Sequence, residues 1–229
     1  MKRINDLIWA ITAKFPDDQF FSDFDLSCKI SKDKKALYFA YERALGTLDL
    51  KSWKILKAKA LQHYKDHRKG QLKQGFFNQL NEAFAYQHLV TVGASAIQFV
   101  PEGKKSTPDL SYVLNGVQMH CEVKSLGISN DEIARQDGRF ADDNFVYASL
   151  SEGFINKFCD AVSHAKRQIE AFATDGLVYI MITPDDFTLE YYSAYRQQLI
   201  NTSIANDFSN LFIQIGIRGD KQIAITNPQ

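Results

Sequence analysis

The chain has 229 residues, 45% of them hydrophobic, and its 27 Lys or Arg balance 27 Asp or Glu. That length supports one sizeable core, or one core with a small appendage, and zero net charge excludes a protein that is basic all over while leaving room for a local basic patch. Three scattered cysteines (Cys28, Cys121, Cys159) form no CxxC pair, which points to a reducing, cytoplasmic compartment with neither a structural zinc site nor a disulfide framework. Met1-Lys2-Arg3 opens like a signal peptide, but Asn5 and Asp6 stand where its apolar segment would begin. No apolar run reaches the roughly 18 residues that a spanning helix needs.

Residues 1–75 read as a helical, partly basic N-terminal region, and residues 76–229 as a second, α/β domain. Ile4, Leu7, Ile8 and Ile11 fall at helical spacing, and Pro16 ends that helix. Residues 17–35 are polar and read as loop or short elements. Residues 36–48 and 51–64 are two further helices, broken near Gly46. Residues 51–75 hold eight Lys or Arg (Lys51, Lys54, Lys57, Lys59, Lys65, Arg68, Lys69, Lys73) against one acid, Asp66. One reading is contact with nucleic-acid phosphates; the other is a solvated helix face, the usual fate of a charge run. His63 and His67 lie one helical turn apart, a spacing that suits a metal, but no Glu stands at the HExxH position, so the pair is assigned to the basic face.

Residues 76–92 form a strongly apolar helix with Phe76, Leu80, Ala83 and Phe84 on its main stripe. Glu82 lies off that stripe, beside Ala85, Tyr86 and Leu89. A helix apolar on most sides is buried, and a carboxylate on it needs a partner. Residues 95–100 read as a strand, 107–125 as a hairpin, and 126–151 as a long acidic loop. A helix over 153–174 carries Phe154, Phe158, Val162, Ala165, Ile169 and Phe172 at core spacing. The run 177–183 is of buried-strand type, stopped by Pro184. A helix over 189–204 and strands over 210–217 and 222–226 close the chain. From residue 76 the order is α-β-β-β-α-β-α-β-β.

The hairpin carries the chemistry. Asn115-Gly116 is the strongest short hairpin signal, because a type I′ turn needs positive φ at both central residues. A two-residue loop sets Leu114 against Val117 and therefore Asp109 against Glu122. Lys124, two residues on, shares their face with Ser111, Gln118 and His120. Leu110, Tyr112, Leu114, Val117, Met119, Cys121 and Val123 take the other face. Opposed carboxylates destabilise a sheet, and a divalent cation removes the penalty. Hard oxygen ligands suit Mg²⁺ or Mn²⁺.

Pro108-Asp109, followed after twelve intervening residues by Glu122-Val123-Lys124, resembles the PD-(D/E)XK, or restriction-endonuclease-like, nuclease superfamily. The weight lies in the conjunction of Pro-Asp, turn, register and upstream helical acid. Glu-x-Lys alone is common, and Glu102-Gly103-Lys104 is a second copy in a loop. The resemblance spans about residues 76–183. It implies an α/β fold with a mixed central sheet flanked by helices, preceded here by an N-terminal helical extension. It further implies a Mg²⁺-dependent endonuclease. Asp109, Glu122 and Lys124 would be catalytic together with Glu82. The metal would be held by Asp109, Glu122, the Val123 backbone carbonyl and Glu82, with Lys166 and Gln168 supporting. DNA is the expected partner because the superfamily mostly acts on it, with Lys51, Lys54, Lys57, Lys65, Arg68, Lys69 and Lys73 as candidate phosphate contacts. Cutting both strands would favour a homodimer. The superfamily also has inactive members, so a non-catalytic nucleic-acid-binding or assembly protein on the same fold is the alternative. A protein-interaction module built from the N-terminal helices is a third reading.

Overall fold

The computed structural model describes residues 1–67, 72–101, 106–127, 149–172, 176–183, 191–217, 219 and 221–226. Arg68, Lys69, the Glu102-Gly103-Lys104 copy, Pro184 and most of the long acidic loop lie outside them. The protein is an α/β chain: an N-terminal helical region, then six strands with interleaved helices, in a sheet of order β1-β2-β3-β4-β5-β6. It divides into two compact units, Met1–Phe99 with Tyr112–Val117, and Val100–Ser111 with Gln118–Gln229.

The first unit holds α1 (Lys2–Lys14), α2 (Phe24–Ile30), α3 (Lys32–Thr47), α4 (Leu50–Gln62), α5 (Gln74–Thr91) and β1 (Ser95–Phe99). The last helix and β1, grouped with the second domain on sequence, cluster here with the N-terminal helices. Local caps start two of the helices: Ser31 accepts from Lys34 N–H, and Asp49 from Ser52 N–H at 2.7 Å. For α1 the cap is tertiary, since the Glu42 carboxylate accepts from the N–H groups of Arg3 and Ile4. The break expected near Gly46 falls instead at Leu48-Asp49, where Leu48 turns extended and Asp49 caps the next helix. Residues 24–30, expected as loop or short elements, form a helix. Seven residues are too few to display a period, and an aromatic cluster holds the segment down. Phe24 meets Tyr38 edge-on at 4.8 Å, and Phe21 packs on Tyr64 and Phe76.

The second unit holds the first two residues of β2 (Leu110–Leu114 as a whole strand), all but the first of β3 (Val117–Leu126), α6 (Glu152–Glu170), β4 (Gly176–Ile182), α7 (Tyr192–Ala205), β5 (Leu211–Ile215) and β6 (Lys221–Ile225). The turn between β2 and β3 has φ of 53° at Asn115 and 78° at Gly116, as a two-residue I′ turn requires. Strands β3, β4 and β5 run parallel, joined by the α6 and α7 crossovers, and β6 returns antiparallel to β5. Ser151 caps α6. Its stripe of Phe158, Val162, Ala165 and Ile169 packs with Leu126, Val178, Ile180, Ile182, Leu211 and Ile213 in one buried core. Because Glu122 pairs with Val178 and Lys124 with Ile180, both project to the face that α6 covers.

Gly176 is required by close approach: a Cβ there would collide with the His120 carbonyl oxygen and with Ile169. Gly176→Ala should therefore destabilise the protein by about 1–3 kcal/mol, read as a lower urea midpoint at unchanged slope. Among the described residues no helix is long and apolar enough to cross a membrane.

Candidate metal centre

Five groups of the second unit converge where β3 passes under α6. Asp109, just ahead of β2, is fixed twice: its backbone carbonyl accepts from Val100 N–H at 2.9 Å, and its Oδ2 accepts from Val123 N–H at 2.8 Å. In an extended strand a residue's N–H and C=O leave on the same edge, so the Val123 carbonyl faces Asp109's side of β3. Glu122 is 2% exposed. Its Oε1 receives Lys124 Nζ at 2.5 Å and its Oε2 receives Gln168 Nε2 at 2.9 Å. Gln168 Nε2 also donates to the Thr107 carbonyl at 2.6 Å, and Gln168 Oε1 lies 3.4 Å from Lys124 Nζ. The side-chain amide of α6 thus ties the segment leading into Pro108-Asp109 to the carboxylate on β3.

The electrostatics come from that burial. Removal from water pushes the Glu122 carboxyl up to about 7, and the Asp109 charge pushes the same way. Lys124 and the hydrogen bonds pull it back only in part. A solvated hairpin face would leave Glu122 near its ordinary value, so burial under α6 separates this arrangement from a neutralised surface cluster.

These residues fit a hard divalent cation. Among the described residues no group of three or more His, Cys, Asp or Glu could hold an ion. Mg²⁺, however, is commonly held by one or two carboxylates, with water and substrate oxygens completing the octahedron. Asp109, Glu122 and the Val123 carbonyl supply that kind of set, and two mutually repelling carboxylates are what a cation relieves.

The other expected site residues are placed differently. Lys166, paired with Gln168 as a supporting candidate, is not brought to the carboxylates. Its ammonium reaches the Asp207 carbonyl and Ser209 Oγ, both at 3.4 Å, and lies over the Phe208 ring. Two residues apart on a helix means about 200° apart, so one face cannot present both. Glu82 belongs to the first unit. It is 4% exposed and takes Lys59 Nζ on both oxygens, at 2.8 and 2.9 Å. Lys59→Met leaves that buried carboxylate without its ammonium and should cost about 3 kcal/mol in denaturant unfolding. A loss under about 1 kcal/mol would contradict the pairing.

Part of the basic stretch, Lys57 and Lys73 beside Lys59, is committed to ion pairs within the first unit. Lys57 pairs with Asp6 at 2.7 Å. Lys73 is buried, pairs with Asp18 and sits 3.8 Å over the Tyr64 ring. Burial pushes the Asp18 carboxyl up, but hydrogen bonds from Lys73, Tyr64 and Phe20 outweigh it and hold the group down at about 2. Lys51, Lys54 and Lys65 are exposed. His63 bonds Asp66 and His67 bonds the Lys65 carbonyl, so the two rings do not share a site.

Sequence reasoning did not foresee the Thr107 carbonyl, because a backbone acceptor leaves no trace in residue identity. His120 lies on the α6 face two residues before Glu122, edge-on to Phe172 at 4.9 Å, with burial lowering its pKa and its Nδ1 buried without a hydrogen-bond partner. Compared with family models, with curated proteins and with solved structures, the chain matches none.

Proposed function

We propose that the protein is a Mg²⁺-dependent nuclease of the PD-(D/E)XK kind, hydrolysing phosphodiester bonds in DNA. One observation carries this reading: a carboxylate buried at Glu122, raised to about 7 beside a second carboxylate at Asp109, with Lys124 and Gln168 on its two oxygens. The order α5-β1-β2-β3-α6-β4, with β3 and β4 parallel across a helical crossover, supports a restriction-endonuclease-like core.

In this reading Asp109, Glu122 and the Val123 carbonyl would hold the cation. When bound, it supplies a Lewis acid that polarises the scissile phosphate and acidifies water. Lys124 brings a positive charge to the oxygens on which negative charge develops, and it orients the attacking water. Gln168 fixes the Glu122 carboxylate and the Thr107 backbone, so the two acids keep their spacing without reorganisation. Glu82, bound by Lys59, has a role in this reading only through the resemblance.

The test is supercoiled plasmid and linear duplex DNA incubated with the purified protein in Mg²⁺ and, in parallel, in EDTA. Cleavage in Mg²⁺ and none in EDTA is expected. DNA binding without cation-dependent cleavage would overturn the reading in favour of a non-catalytic binding protein.

A further inference from the structure

The charge on Lys124 has a second consequence, which rests on the metal-centre reading above. Its ammonium sits at 2.5 Å on Oε1 of Glu122 while Gln168 holds Oε2. Both oxygens of the buried carboxylate are thereby engaged, and Asp109 is engaged through Val123 N–H. The ammonium occupies Oε1, the Glu122 oxygen that Gln168 leaves to a cation. Mg²⁺ or Mn²⁺ binds carboxylate oxygen at about 2.1 Å, and an ammonium on the same oxygen would be repelled at short range in a site largely withdrawn from water. The two positive groups have different freedoms. The lysine is on a flexible four-carbon stem with its side chain 26% exposed, so it can swing outward. Glu122 is buried and pinned from the α6 side by Gln168.

We infer that Lys124 is a built-in competitor of the divalent cation, holding Oε1 of Glu122 until the cation displaces it. Cation loading and lysine release are then one event. The released ammonium is the group placed to meet a phosphate oxygen. By linkage, a phosphodiester that engages Lys124 tightens cation binding by the same factor that the cation tightens phosphodiester binding. The site therefore loads weakly on its own and strongly with substrate present.

The probe is Mn²⁺ alone, titrated calorimetrically into wild-type protein, Lys124→Met, Lys124→Gln and Asp109→Asn, each checked for a cooperative thermal transition. Removing the lysine charge should tighten Mn²⁺ binding at least tenfold, although the same change removes a catalytic group. Lys124→Gln, which keeps a hydrogen-bond donor for Glu122, should behave like Lys124→Met. Asp109→Asn should weaken the binding at least tenfold. Equal or weaker Mn²⁺ binding in both Lys124 variants, with the Asp109 dependence intact, overturns the competition and leaves the metal-centre reading standing. Mn²⁺ binding indifferent to Asp109 overturns that reading, and the competition with it.

Discussion

Asp109→Asn and Lys124→Met should each lower Mg²⁺-dependent DNA cleavage by at least about 10²–10³-fold, the scale set by removing one group that stabilises developing charge. They should do so for different reasons. Asp109→Asn keeps the shape of the side chain and an oxygen able to accept the Val123 N–H, so the fold is expected to persist. What is lost is one of the two charges proposed to hold the cation, and excess Mn²⁺ should restore part of the rate. Lys124→Met leaves both carboxylates in place. Its defect should persist at saturating Mn²⁺, because the missing group is proposed to act on water and phosphate. Plasmid cleavage rates across a Mn²⁺ series separate the two patterns. Wild-type rates in both variants would remove the site from the mechanism.

Glu122→Gln should change stability in a pH-dependent way, with the largest gain at alkaline pH. Burial holds the wild-type carboxyl at about 7, against an ordinary value near 4.5. Between those two pH values the folded chain keeps a proton that the unfolded chain has lost. Stability of the cation-free wild type is therefore fullest below about 4.5 and declines as pH rises through 7, by an amount on the order of 3 kcal/mol. Gln carries no charge at any pH and retains an oxygen for Lys124. The stability of Glu122→Gln relative to wild type should thus climb by about 2–3 kcal/mol between about pH 5 and about pH 8, measured by urea unfolding in EDTA. Added Mn²⁺ should then stabilise wild type but not the variant, since binding to the native state alone raises its stability by mass action. A difference between the two proteins that stays flat with pH would show that Glu122 is not held protonated by its surroundings.

Several elements could be read from residue identity because the physics that makes them is local. Asn115-Gly116 can adopt positive φ twice in succession, which sets the turn, and side-chain parity along β3 then puts Glu122 and Lys124 on one face. The apolar stripe of α6 and the continuous apolar run of β4 announce their type by period and length. Other features had no local signature. Helix α2 is too short to show a period and is held by Phe21 and Phe24 against Tyr38, Tyr64 and Phe76. Lys57 and Lys73 read as part of a basic stretch, yet Asp6 and Asp18, about fifty residues away in sequence, take their charges.

The sequence by itself determined the element order from residue 76 onward, the turn, and the choice of Asp109 with Glu122-Val123-Lys124 as a candidate site, because turn chemistry and strand periodicity act between near neighbours. Only the tertiary structure decided what that site is electrostatically. The crossover from β3 lays α6 over Glu122, selects Gln168 in place of Lys166 as its partner, and removes the carboxylate from water. Burial depends on what the chain brings over a residue from more than forty positions away, and that burial raises the Glu122 pKa.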